Sequence, residues 1–200
     1  MKKESDLFIT LGIIGIILLL IYPAVFQAIQ NNFLSNKLRE TSIEISSAFQ
    51  DYLIDNRLKN LDKLFKTNGI EFFTKLDTTK ICKDRNSKEC LDMNQYYRLN
   101  GEKTDITNTD VANSVCAVLK SGASVCLTPF KNVEESGAFL ILDITGKKGP
   151  NLGGKDFFLC TVNNEGVIKS MYEWNESYVS LMTEYDSYSR ISKENWKINY

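Results

Sequence analysis

Residues Leu7 to Phe26 read LFITLGIIGIILLLIYPAVF, twenty consecutive positions without a charge. As a helix that run rises about 30 Å, the thickness of a bilayer's hydrocarbon core. Only Thr10 and Tyr22 carry polar atoms, and so small a domain has no core to hide such a helix. The pattern predicts one membrane span. The run is longer than the apolar region of a signal peptide, and Ala24 is followed by Val25 and Phe26 rather than by small residues. A retained anchor is therefore expected instead of a removed leader. Lys2 and Lys3 place residues 1–6 in the cytoplasm by the positive-inside rule, with the rest of the chain beyond the span on the other side.

After the span the period changes without a break. Gln27 to Ile54 holds no Gly and no Pro. Ile29, Phe33, Leu34, Leu38, Ile45, Phe49 and Leu53 recur mostly at three- and four-residue intervals, which is one apolar stripe on a helix that needs a partner surface. One continuous helix from about Leu7 to Ile54 is predicted. Pro23 removes a backbone hydrogen bond and crowds the preceding turn, so a kink is expected there. Leu58, Leu61, Leu64 and Phe65 predict a second short helix stopped at Asn68-Gly69. Phe72, Phe73, Leu76 and Ile81 extend a helical pattern beyond that turn. Lys83 to Asp110 is polar and reads as loop-rich.

From Val115 the period becomes two. Val115–Leu119 and Ser124–Leu127 flank Lys120-Ser121-Gly122, a hairpin signal. Ala138–Ile144 is a strand candidate. Phe157–Val162 and Val167–Met171 flank Asn163-Asn164-Glu165-Gly166, a second hairpin. The predicted class is α+β: a long N-terminal helix, half membrane span and half amphipathic, packed on a C-terminal antiparallel sheet. It divides into a cytoplasmic leader 1–6, a span 7–26, an amphipathic continuation 27–55 and an exported globular domain 56–200.

Composition narrows the function. Lys plus Arg is 24 and Asp plus Glu is 25, a formal charge of −1, without the positive excess of a nucleic-acid binder. The chain has 0 histidines, which removes Ser-His-Asp and Cys-His nucleophile systems and His-ligated metals. No other catalytic constellation stands in their place, so no enzyme is expected.

All five cysteines follow the span, where an exported domain meets an oxidising compartment. A turn at Lys120–Gly122 sets Cys116 opposite Cys126, and Cys82 and Cys90 enclose a short polar loop. These two bridges are the preferred pairing, with Cys160 left in its strand. Asp143-x-Thr145-Gly146 resembles the start of a calcium loop, and Asp156 offers a further carboxylate. An EF-hand beginning at Asp143 would put Gly154 where its bidentate Glu belongs, so that motif fails. Gly146, Gly149, Pro150, Gly153 and Gly154 read as a tight structural connection instead. No cofactor is expected, calcium at Asp143 and Asp156 being the weak alternative. Tyr172, Trp174, Tyr178, Tyr185, Tyr188, Trp196 and Tyr200 crowd the tail, and packing of that tail onto the sheet is expected over an exposed stacking surface.

Ile9-Thr10-Leu11-Gly12-Ile13-Ile14-Gly15-Ile16, then Pro23, then an amphipathic helix resembles the N-terminal segment of bacterial type IV pilins and type II secretion pseudopilins. Asp143-Ile-Thr-Gly146-Lys-Lys-Gly149-Pro150-Asn151-Leu-Gly153-Gly154-Lys155-Asp156-Phe157 resembles a D-x-N-G-x-K-G-P-N segment of pilin-like proteins. The resemblance implies a filament subunit that sits in the inner membrane and stacks its apolar helix against other pilin-like subunits. Its implied partners are those subunits, the inner-membrane assembly platform and membrane lipid. In that register Asp6 stands where the family has its N-terminal glutamate. Met1 falls at the place of the glycine that prepilin peptidase requires, and Lys2 at the place of the following Phe. Processing and methylation by that peptidase therefore stay open. The alternative is a stand-alone anchored module whose exported domain binds a ligand.

Overall fold

The computed structural model describes residues 2–67, 69–82, 88–103, 114–131, 136–170 and 187–198, with the backbone alone at 2–9, 131, 136, 170 and 187. The chain begins as one unbroken helix, α1 (Lys2–Asp55), with Pro23 inside it. It is slightly longer than the predicted Leu7–Ile54. The chain then reverses through Arg57 at φ 51°. A short helix α2 (Asp62–Lys66) follows, and Gly69 after it takes the left-handed φ of 70° that a helix stop needs. Asn68 of that predicted stop lies outside the described residues. Ile70–Lys75 is a run of 3-10 turns that carries Phe72 and Phe73 into the core.

Among the described residues six strands form one antiparallel sheet in the order of the chain: β1 (Thr78–Cys82), β2 (Val115–Leu119), β3 (Ser124–Lys131), β4 (Ser136–Asp143), β5 (Phe157–Asn163) and β6 (Ile168–Ser170). Both predicted hairpins and the predicted central strand are present. Strand β1 corrects the sequence reading, which carried helical pattern through Ile81. Thr78, Thr79 and Ile81 are β-branched, and Ile81 pairs with Ala117. The strand lies at the sheet edge with its middle exposed. An edge strand need not alternate apolar and polar residues, so its sequence carries no period-two signal. The loop-rich stretch is described at 88–103, with a short 3-10 turn at Met93–Gln95 and a Tyr97–Lys103 bridge. Residues 83–87 and 104–110 lie outside the described part.

Alternation along the strands gives the sheet two apolar faces. On the front, Val115, Ala117, Leu119, Val125, Leu127, Leu140, Leu142, Phe158 and Val162 pack against α1, α2 and a last helix, α3 (Ser187–Lys193). On the back, Cys116, Cys126, Ile141, Phe157 and Leu159 lie under Cys90, Leu91, Met93 and Tyr96.

Helix α1 reaches the front face through Asn31, Leu34, Ser35, Leu38, Thr41, Ser42, Ile45, Ala48, Phe49 and Tyr52, all buried. Their three-and-four spacing is the predicted stripe with two corrections. Ile29 and Phe33 are exposed (62% and 57%), because the buried arc passes through Asn31 and Ser35 and leaves these two on the far side of the helix. Small hydroxyl residues let the tail lie close there: the Ile198 N–H donates to Ser35 Oγ at 3.1 Å, and Ser42 Oγ donates back to the Leu38 carbonyl at 2.7 Å. At the far end Phe49 stacks on Phe72 at 4.1 Å. The β5–β6 turn docks beside them, with the Leu61 N–H on the Asn164 carbonyl at 2.7 Å. Gly166 in that turn has φ +82°, and a Cβ there would stand 3.2 Å from that of Phe49. A side chain at this position is strained by both conformation and space.

Candidate assembly helix and carboxylate-centred loop

Two features bear the predicted site residues. The first is the N-terminal half of α1. Among the described residues one helix is long and apolar enough to cross a membrane, Thr10–Asp55, and none of its most apolar window is buried. Leu19 and Leu20 are 76% and 74% exposed. Gly12 and Gly15 face open space. Tyr22 stacks on Phe26 with ring centres 6.0 Å apart at the end of the apolar run. Beyond it, Phe33, Ile43 and Ile54 remain exposed on the side of α1 turned away from the sheet. Lys37 Nζ lies 5.9 Å over the Phe33 ring. Partial burial lowers its pKa, and Asp143 opposes that shift. Pro23 lies within this helix. The backbone of Asp6 is helical, but its side chain falls outside the described part.

The second feature is the loop between β4 and β5, which carries the second motif. Asp143 ends β4 on the back face and is fully buried. Its Oδ1 accepts the Thr145 N–H at 3.1 Å and the Gly146 N–H at 2.8 Å, and its Oδ2 accepts the Tyr96 hydroxyl. Asp156, also buried, accepts the Asn151 N–H at 2.7 Å and the Leu152 N–H at 2.6 Å. Thr145 Oγ1 has one proton to give. It lies 2.7 Å from Asp156 Oδ2 and 3.4 Å from Asp143 Oδ1, so the bond goes to Asp156. The two carboxylates thus close the loop from both ends. Gly146 at φ +60° sits so near the Gly122 carbonyl that a Cβ would collide with it, tying this loop to the β2–β3 turn. Gly149 joins Pro150 through a cis bond, Asn151 takes φ 58°, and the Gly153 N–H donates to the Tyr97 carbonyl at 2.9 Å.

Burial raises the pKa of Asp143 to about 6, with Tyr96 opposing the rise and the Asp156 charge adding to it. Burial raises Asp156 in the same direction. It raises Tyr96 as well, helped by the Asp143 charge, so the phenol keeps its proton and donates. Both carboxylates face protein donors, and no group of three or more metal-ligating side chains occurs among the described residues. The pair fits the structural reading of the loop better than a calcium site, whose six to eight oxygens would have to displace those donors.

Cys82 is bonded to Cys90 and Cys116 to Cys126, as preferred from the sequence, and Cys160 lies buried on the opposite, front face. In the tail, Tyr188 is buried and meets Trp196 edge-on at 6.0 Å, so these two rings pack. Tyr172, Trp174, Tyr178, Tyr185 and Tyr200 lie outside the described residues. Sequence reasoning missed Tyr96. It stands in a polar stretch with no periodicity, and its one signal was an aromatic residue next to another, Tyr97.

Compared with protein-family models, with characterised proteins and with solved structures, the chain finds no match.

Proposed function

We propose that this chain is a pilin-like subunit, anchored in the inner membrane by 7–26 with its N-terminus cytoplasmic, and assembled into a filament by stacking of α1. The observation that supports this reading is the asymmetry of α1. One unbroken helix is fixed to a sheet along its second half and bare along its apolar first half. Such a surface is satisfied first by lipid and then by the same surface of neighbouring subunits. The resemblance of Ile9–Ile16, Pro23 and the Asp143–Phe157 segment to type IV pilins and pseudopilins points the same way. Under this reading Asp6 is the buried carboxylate, which needs a paired positive charge in an apolar core.

Lys2, where the resembling family has Phe, favours a second reading, an anchored binding module that stays in the membrane. A photo-reactive side chain at Ile14 of the full chain, expressed in its native cells, separates the two. Adducts with pilin-like subunits or with the assembly platform are expected. Adducts confined to lipid would leave the anchored module.

A further inference from the structure

Three of the five cysteines lie side by side on adjacent strands of the back face. Cys82 on β1 is directly opposite Cys116 on β2, and Cys116 is directly opposite Cys126 on β3. Residues opposite each other in an antiparallel pair point to the same face at Cα separations that fall within or close to the range a disulfide spans. Cys116 therefore has a suitably placed partner on either side and is bonded to one of them. The fourth member closes over the row. The Ser124 hydroxyl donates to the Cys90 carbonyl at 2.8 Å, and Cys90 Sγ lies 3.8 Å from the Cys116 carbonyl. All four side chains are buried in one cluster with Leu91, Met93 and Tyr96.

We propose that these four cysteines are one thiol–disulfide exchange cluster with two pairings, opened by an external thiol when Cys90, with Leu91 and Met93, lifts off the back face. The sequence balances without net oxidation. An external thiolate attacks Cys90 Sγ, forming a mixed disulfide and releasing the Cys82 thiolate. Cys82 attacks Cys116 Sγ, forming Cys82–Cys116 and releasing the Cys126 thiolate. Cys126 attacks Cys90 Sγ, forming Cys90–Cys126 and returning the external thiolate. The ties that join β1 to the Cys90 segment and β2 to β3 become ties that join β1 to β2 and the Cys90 segment to β3. The matching partner chemistry is a redox-active thiol in the exported compartment, and Cys160, on the other face, takes no part.

The test is disulfide mapping by mass spectrometry on the full chain in detergent, alkylated at low pH before digestion. In the Cys90→Ser variant at pH 8, a detectable share of the Cys116 is expected in linkage with Cys82, with a matching amount of Cys126 alkylated, because the freed Cys82 thiol faces the Cys116 end of the Cys116–Cys126 bond from the next strand. The wild-type chain with millimolar reduced glutathione covers the case in which that variant fails to fold. There, Cys82–Cys116 and Cys90–Cys126 peptides are expected to appear together. Only the two original pairs, with or without glutathione on Cys82 or Cys90, would overturn the proposal.

Discussion

At the residue scale the most consequential group is Asp143. Its carboxyl is buried and its pKa rises from 3.8 to about 6. Between those values the folded protein holds a proton that the unfolded chain has released. Stability from this group is thus present at the acid end and lost as pH rises through about 4 to 6, a contribution on the order of 2–3 kcal/mol. Thermal melts of the full chain in detergent should show that slope, and Asp143→Asn should flatten it. An unchanged slope in the variant would assign the effect to other groups. Gly146 makes a different kind of demand, since a Cβ there meets the Gly122 carbonyl at a left-handed φ. Gly146→Ala is expected to destabilise by about 1–3 kcal/mol, and a melting temperature equal to wild type would refute the steric account. These two positions also divide what the sequence revealed from what it hid. The motif announced Asp143, Gly146 and Asp156 by spacing. That Tyr96 is the donor to Asp143 comes from tertiary approach, which no local pattern encodes.

At the scale of elements, α1 owes its place to one stripe. Truncating Phe49, which is fully buried, removes a ring that stacks on Phe72. Phe49→Ala should cost about 3–5 kcal/mol, read as a shift in denaturant midpoint. The same change at exposed Ile43 should stay within about 0.5 kcal/mol. Helix α1 and both hairpins were legible because period and turn chemistry agreed along their length. Strand β1 was not, because its exposed edge leaves Thr78–Cys82 free of alternation. The stripe was legible in period yet displaced at Ile29 and Phe33. Apolar side chains alone do not reveal that Asn31, Ser35 and Thr41 would be buried; the bond from the Ile198 N–H that covers Ser35 comes from the tail, far along the chain.

At the scale of the whole molecule, two apolar surfaces of α1 have opposite fates. One is consumed by the sheet, and the other runs from the span up to Phe33, Ile43 and Ile54 without cover from the described residues. The two proposed functions differ in what the second surface does above the membrane. A filament subunit needs it against neighbours, whereas an anchored module leaves it in water at little consequence. Replacing Phe33 and Ile43 together by Ser touches nothing in the front core, so the melting temperature should hold within a few degrees. Under the filament reading the same double variant should still reach the membrane fraction but lose most of its cross-linking to other subunits and its share in sheared filaments. Full retention of both would show that this face carries no contact, and would move the balance to the anchored module, because the apolar half of α1 would then have lipid as its only partner.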